Sequence, residues 1–170
     1  MKKLSPNTLK IIIGTAVVAI AVVAAVLILR GTPELIQLNS SSMTDWRLGA
    51  SIEGISSRED GASAQIPQFS WFEEPDGDCG LKSSSGTAWY YMGNYAGTYC
   101  VTGFASTARE YSLLGIRVGD DELAAKTELL NRGYSLTGGG FDTCTAARGN
   151  ITVELGFRSG AVTQIAAYLN

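Results

Sequence analysis

Hydrophobic and polar residues follow three different rhythms along this chain. The first is continuous. Ile11 to Leu29, "IIIGTAVVAIAVVAAVLIL", carries no charge over nineteen residues, and Thr15 is its one polar side chain. A helix of that length would span about 28 Å, close to the ~30 Å hydrocarbon core of a bilayer. The second rhythm has period two. Ile151, Val153, Leu155 and Phe157 alternate with Thr152, Glu154 and Gly156, which predicts a half-buried strand. Arg158-Ser159-Gly160 then reads as a three-residue turn, with the glycine in the left-handed position. Ala161 to Leu169 is apolar on both faces around Val162, Ile165, Ala167 and Leu169. It predicts a more central strand whose phase the pattern leaves open.

The third rhythm is helical. Leu123, Thr127 and Leu130 fall at i, i+4 and i+7, predicting a helix over 121–132 with one narrow buried face. The triple acid Asp120-Asp121-Glu122 at its start has a local task. Asp120 is placed to cap the first turn, with Asp121 and Glu122 at the positive end of the helix dipole. Glu122 and Lys126 are spaced for an i,i+4 pair, and Gly133 stands where a helix ends. The acids therefore predict a helix start; no further ligands are marked that would make them a metal site. A weak self-similarity runs alongside. "TAWYYMGN" (87–94) aligns with "TCTAARGN" (143–150), Gly103-Phe104 with Gly156-Phe157, and Arg47-Leu48-Gly49 with Arg117-Val118-Gly119.

Together these patterns predict an α+β fold, with an N-terminal transmembrane helix followed by short helices packed on an antiparallel sheet. The divisions are a basic cytoplasmic tail (1–10), the transmembrane helix (11–29), a stalk (30–43) containing Thr32-Pro33 and Asn39-Ser40-Ser41-Ser42, and an outer domain (44–170). A duplication would divide that domain into tandem helix-plus-strands units at 44–111 and 112–170. The apolar run is longer than the 7–15 residues of a secretory signal and ends Val26-Leu27-Ile28-Leu29-Arg30, without small residues for cleavage. A retained anchor is expected. Lys2, Lys3 and Lys10 before it, against Arg30 after it, predict a cytoplasmic N-terminus and an extracytoplasmic domain, 31–170.

Charge and composition narrow the chemistry. Residues 1–30 contain four bases and no acid, so all 16 acids lie beyond them against the nine remaining bases, a net −7. An acidic surface repels phosphate backbones, and nucleic acid is not expected as a partner. The chain has no histidine, which removes Ser-His and Cys-His pairings and the usual zinc nitrogen ligand. No cofactor or metal is expected. Asp76-Gly77-Asp78 with Glu73 and Glu74 lacks the ligand spacing of a calcium loop and reads as a solvated turn. On the oxidising side of a membrane Cys79, Cys100 and Cys144 favour a disulfide. Cys79–Cys100 closes the shortest loop, and Cys100–Cys144 is its competitor.

"LLGIRVGDDELAAKTELLNRGY" (113–134) followed by "RGNITVELGFRSGAVTQIAAYL" (148–169) resembles the pattern of the β-lactamase-inhibitor-protein-like and SmpA/BamE-type bacterial modules. The chain lacks the lipidation cysteine of the lipoprotein branch and keeps the span that the secreted inhibitors lack. The resemblance implies an extracytoplasmic module whose sheet face binds protein, and it assigns no site residue.

The aromatic run Trp89, Tyr90, Tyr91 and Tyr95 is the candidate binding set. On a strand Trp89 and Tyr91 share one face and Tyr90 the other, so one face buries its rings and the other presents them to solvent or a partner. The expected function is a membrane-anchored binding module for a protein or envelope component, not an enzyme. An envelope hydrolase would need two carboxylates converging about 5–10 Å apart. A structural assembly subunit would need a self-complementary apolar patch.

Overall fold

Short alternating segments joined by tight glycine-bearing turns favour antiparallel meanders, and the chain forms two. The computed structural model describes residues 46–170 and, for Leu38–Ser40, the backbone. The elements in chain order are β1 (Leu38–Ser40), α1 (Arg58–Ser63), β2 (Phe69–Glu73), β3 (Cys79–Ser83), β4 (Ala88–Tyr95), β5 (Thr98–Ser106), β6 (Tyr111–Leu113) and β7 (Ile116–Arg117). They continue with α2 (Glu122–Asn131), β8 (Ser135–Gly138), β9 (Thr143–Arg148), β10 (Ile151–Arg158) and β11 (Ala161–Leu169). Eight strands make one sheet in the order β2-β3-β4-β5-β11-β10-β9-β8, antiparallel throughout. The last strands of the two meanders, β5 and β11, pair at its centre. A smaller sheet, β1-β6-β7, lies beside it.

The α+β expectation is corrected by this architecture. The two helices among the described residues have six and ten residues and form no helical layer; the sheet is the fold there. The predicted helical face was also the wrong one. Ala125 and Leu129 face the sheet, while Leu123 and Leu130 are 73% and 52% exposed. An i,i+4 pair containing one alanine suffices because α2 is pinned at its ends. Asp121, not Asp120, is the cap, accepting from the Ala124 N–H at 2.9 Å. Asp120 instead accepts from the Arg117 N–H at 2.8 Å. Lys126 meets Glu122 at 2.6 Å, and its ammonium sits over the Phe157 ring at 5.0 Å. A cap of this kind is worth about 1 kcal/mol.

The hairpins explain what the pattern left open. Ser159 and Gly160, with φ of 54° and 76°, form a two-residue turn between paired Arg158 and Ala161. Ala96 and Gly97, at 50° and 83°, do the same between β4 and β5. Two successive positive φ values suit the right-handed twist of a hairpin. Each return strand then carries one unpaired residue, Thr102 in β5 and Thr163 in β11. The extra residue shifts the phase of β11, so that Val162, Ile165 and Ala167 all face the core; this is why the strand reads as apolar on both sides. Strand order matches β4 with β10 and β5 with β11, whereas the sequence alignment had set β4 against β9 and β5 against β10.

All covering elements lie on one side. Under the first meander, Trp46, Phe69, Tyr90, Phe104 and Tyr111 form a chain of rings with centroids 5.0–5.7 Å apart. Under the second, Ile151, Val153, Leu155, Val162 and Ile165 join Leu129 and Ala125 of α2 in the same core. α1 is held to β2 by Gly61, where a Cβ would overlap the Trp71 ring, and by Arg58, which meets Glu73 at 2.9 Å.

The basic tail 1–10, the segment 11–29 and most of the stalk lie outside the described residues. Among the described residues no helix is long and apolar enough to cross a membrane. Within the stalk, Leu38–Ser40 pairs with β6 as a strand. The expected Cys79–Cys100 disulfide is corrected: all three cysteines are free and buried. β4 separates β3 from β5, so Cys79 and Cys100 stand two strand spacings apart, roughly 9.6 Å, beyond the ~7 Å Cα separation a disulfide tolerates. Cys144 on β9 is farther still from β5, which removes the Cys100–Cys144 alternative.

Candidate functional site

The other face of the large sheet carries the candidate binding surface. Alternation on β4 puts Ala88, Tyr90 and Met92 in the core and leaves Trp89 and Tyr91 half-buried on the opposite side. Register then builds a row across five strands. Phe72 pairs with Gly80, Gly80 with Tyr91, Tyr91 with Gly103 and Gly103 with Tyr168. Aromatic residues thus alternate with glycines perpendicular to the strands. Phe72 meets Tyr91 edge to face at 5.7 Å, and Tyr91 meets Tyr168 at 5.9 Å with the rings tilted by 49°.

The glycines are required by this geometry. At Gly103 a Cβ would lie 2.7 Å from Tyr168 Cδ1 and 3.2 Å from Tyr91 Cδ2, so any side chain would push the two rings apart. At Gly80 a Cβ would fall on the Tyr90 carbonyl oxygen of the paired strand. Tyrosines across a bare glycine cover the exposed backbone while keeping one edge in solvent. Trp89, two pairs further along β4, stands against Lys82, whose ammonium lies 5.5 Å from the ring centre.

The hydroxyls of the row resist ionisation. Burial pushes the Tyr91 hydroxyl up, and Asp78, Glu74 and Asp76 of the β2–β3 turn push it further. Tyr168 is pushed up to about 12, by burial first, then by Tyr91, Glu154 and Asp78. The row is therefore neutral and bordered by negative charge. A tyrosine whose folded pKa exceeds its unfolded value of about 10 keeps its proton longer in the folded state. Stability should hold below pH ~10 and fall as pH rises from there to about 12, where Tyr168 ionises. Burial also pushes the Tyr99 and Tyr111 hydroxyls up, so an ultraviolet titration of tyrosinate should show a late-ionising step of several phenols that loses one of them in Tyr168→Phe. A Tyr168→Phe variant that keeps the full late step would remove the assignment.

The other predicted residues separate. Tyr90, 1% exposed, is part of the core and is withdrawn from the candidate surface. Tyr95 accepts a hydrogen bond from the Asn150 side chain, tying the end of β4 to the β9–β10 turn. It clasps the two meanders together and stands apart from the row. Phe72, Tyr168, Gly80 and Gly103 were missed, because only cross-strand register unites positions so distant in the chain. Phe141 was missed too. It is fully exposed after Gly138-Gly139-Gly140, and an apolar residue following three glycines is a readable signal of a presented tip.

The competing chemistries find little support in the arrangement. Glu73, Glu122 and Glu128 are ion-paired, and Asp60, Asp120 and Asp121 accept backbone N–H groups. Burial pushes the Cys100 and Cys144 thiols up, away from the reactive thiolate; Lys126 offsets this only in part at Cys144. Among the described residues no group of three or more cysteine, aspartate or glutamate side chains is placed to hold a metal ion. The chain matches no protein-family model, no curated protein and no solved structure.

Proposed function

We propose that the chain is a membrane-anchored binding module whose domain stands outside the cytoplasm and engages a protein partner on the uncovered face of its large sheet. The observation that carries this reading is the Phe72–Tyr91–Tyr168 row with Trp89, held half-exposed on a face that no other described element packs against. Both helices and the small sheet bury their apolar residues on the opposite side. Such a face loses nothing in stability by keeping polar residues, yet here it presents four aromatic rings, the residue class most enriched at protein-binding hot spots.

The anchor rests on the uncharged segment 11–29, and its direction on the lysines that precede it. A glycan platform is less well supported. Sugar stacking needs an open ring face, whereas Lys82 lies over Trp89 and the remaining rings are tilted or edge-on to one another.

A photo-crosslinking residue at Trp89, in the full chain on intact cells, tests the reading. One discrete adduct is expected from position 89 and none from position 127 on the outward side of α2. Equal labelling from both positions, or from neither, would sink it.

A further inference from the structure

One part of the uncovered face specifies its occupant more narrowly, given that the face binds a protein as proposed. Strands β9, β10 and β11 form a recess of about 180 Å³ whose lining includes Thr143, Thr145, Glu154, Gly156 and Gln164, with Cys144 and Leu155 between them in the chain. Register sets its walls: Glu154 lies between Thr145 and Ala166, and Gly156 between Thr143 and Gln164. Gly156 keeps the floor open, since a Cβ there would stand 3.3 Å from the Gln164 Cβ and 3.4 Å from the Thr163 hydroxyl.

Glu154 is the feature that asks for a partner. It is exposed in the middle of β10, and among the described residues it has no ion pair and no hydrogen bond, unlike Glu73, Glu122 and Glu128. Its neighbours in the recess are two hydroxyls and an amide, which can all accept hydrogen bonds; the Thr143 hydroxyl already accepts one from the Gly140 N–H at 2.7 Å and keeps a second lone pair. One carboxylate is too little for a divalent cation. The volume is below the roughly 300 Å³ at which small-molecule sites begin, so the recess suits one side-chain head. Four acceptors with a single negative charge match a donor-rich monovalent cation. A guanidinium, planar and with five N–H groups, satisfies more of them than an ammonium and pairs with carboxylate in a bidentate fork. Tyr168 stands two residues along β11 from Ala166, which puts a ring at the rim where a guanidinium can stack.

We infer that the recess takes the guanidinium of an arginine side chain on the protein partner, with Glu154 supplying the charge and Thr143, Thr145 and Gln164 the neutral acceptors. The probe is N-acetyl-arginine methylamide, titrated into the full chain in detergent micelles and followed by amide chemical shifts. Saturating shifts are expected at Thr143, Thr145, Gly156 and Gln164. The neutral citrulline counterpart should bind at least tenfold more weakly. Glu154→Gln should abolish the shifts while leaving the remaining amides in place, which separates lost binding from lost folding. Retained binding in that variant, equal binding of citrulline, the same shifts from methyl glucoside, or no shift at all would each overturn the assignment. None of these outcomes alters the Trp89 crosslinking result, so the recess and the binding face fail independently.

Discussion

Phe104→Ala is expected to destabilise the domain by about 3–5 kcal/mol, the largest effect of any single truncation at this sheet's centre. Phe104 is fully buried on β5, the strand through which the two meanders join. Its ring touches Tyr90 at 5.0 Å and Tyr111 at 5.7 Å, linking the large sheet to the small one. Its register partners are Tyr90 on one side and Ala167 on the other, and neither alanine nor a rigid strand neighbour can move in to fill the space. A cavity term therefore adds to the lost transfer free energy. Tyr91→Ala, one residue from Tyr90 on the reverse face, removes a ring of similar size from a half-exposed site and should cost about 1 kcal/mol. Denaturant melts of the full chain in mild detergent measure both. Equal losses from the two variants would mean that both faces are covered, and the assignment of an open face would fail with it.

How much of this was legible beforehand depended on the range of the interaction. The β10–β11 hairpin could be read because its alternation and its turn are local, although the turn has two residues, Ser159 and Gly160, where three were expected. The α2 boundaries were legible from Gly133 and the acids, although the cap shifted by one residue to Asp121. The buried face of α2 was misread because the segment offers two apolar spacings, and Ala125 with Leu129, not Leu123 with Leu130, turns to the sheet. The first meander was illegible for a related reason. Its strands carry core residues as isolated aromatics, such as Tyr90 and Phe104, and glycines such as Gly80 and Gly103 interrupt any periodic signal. Those glycines make sense only once Tyr91 is seen to lie between them. The cysteine pairing failed because a short loop in sequence says nothing of which strand runs between its ends. With the thiols free, the extracytoplasmic placement rests on the 11–29 segment and the lysines before it.

Replacing Tyr91 and Tyr168 by serine should all but abolish the Trp89 crosslink while leaving the domain folded. A hot-spot tyrosine contributes about 2 kcal/mol or more to binding, a factor of ~30 for either residue alone. The two rings touch at 5.9 Å, so their effects should not simply add, and the double variant should fall short of the product of the single ones. A competing explanation is purely structural: the rings stand where they do because Gly80 and Gly103 leave grooves of bare backbone that need covering. That account predicts the reverse balance. Stability would drop by the ~0.5–1.5 kcal/mol an aromatic pair is worth, and the crosslink yield, corrected for folded protein, would be unchanged. The binding account predicts a fall of tenfold or more in corrected yield for each single variant, with Tyr91→Phe retaining most of it because the ring, not the hydroxyl, makes the contact. Because both rings are only half-buried, folding tolerates their loss, and the two accounts separate in one pair of measurements on the same variants.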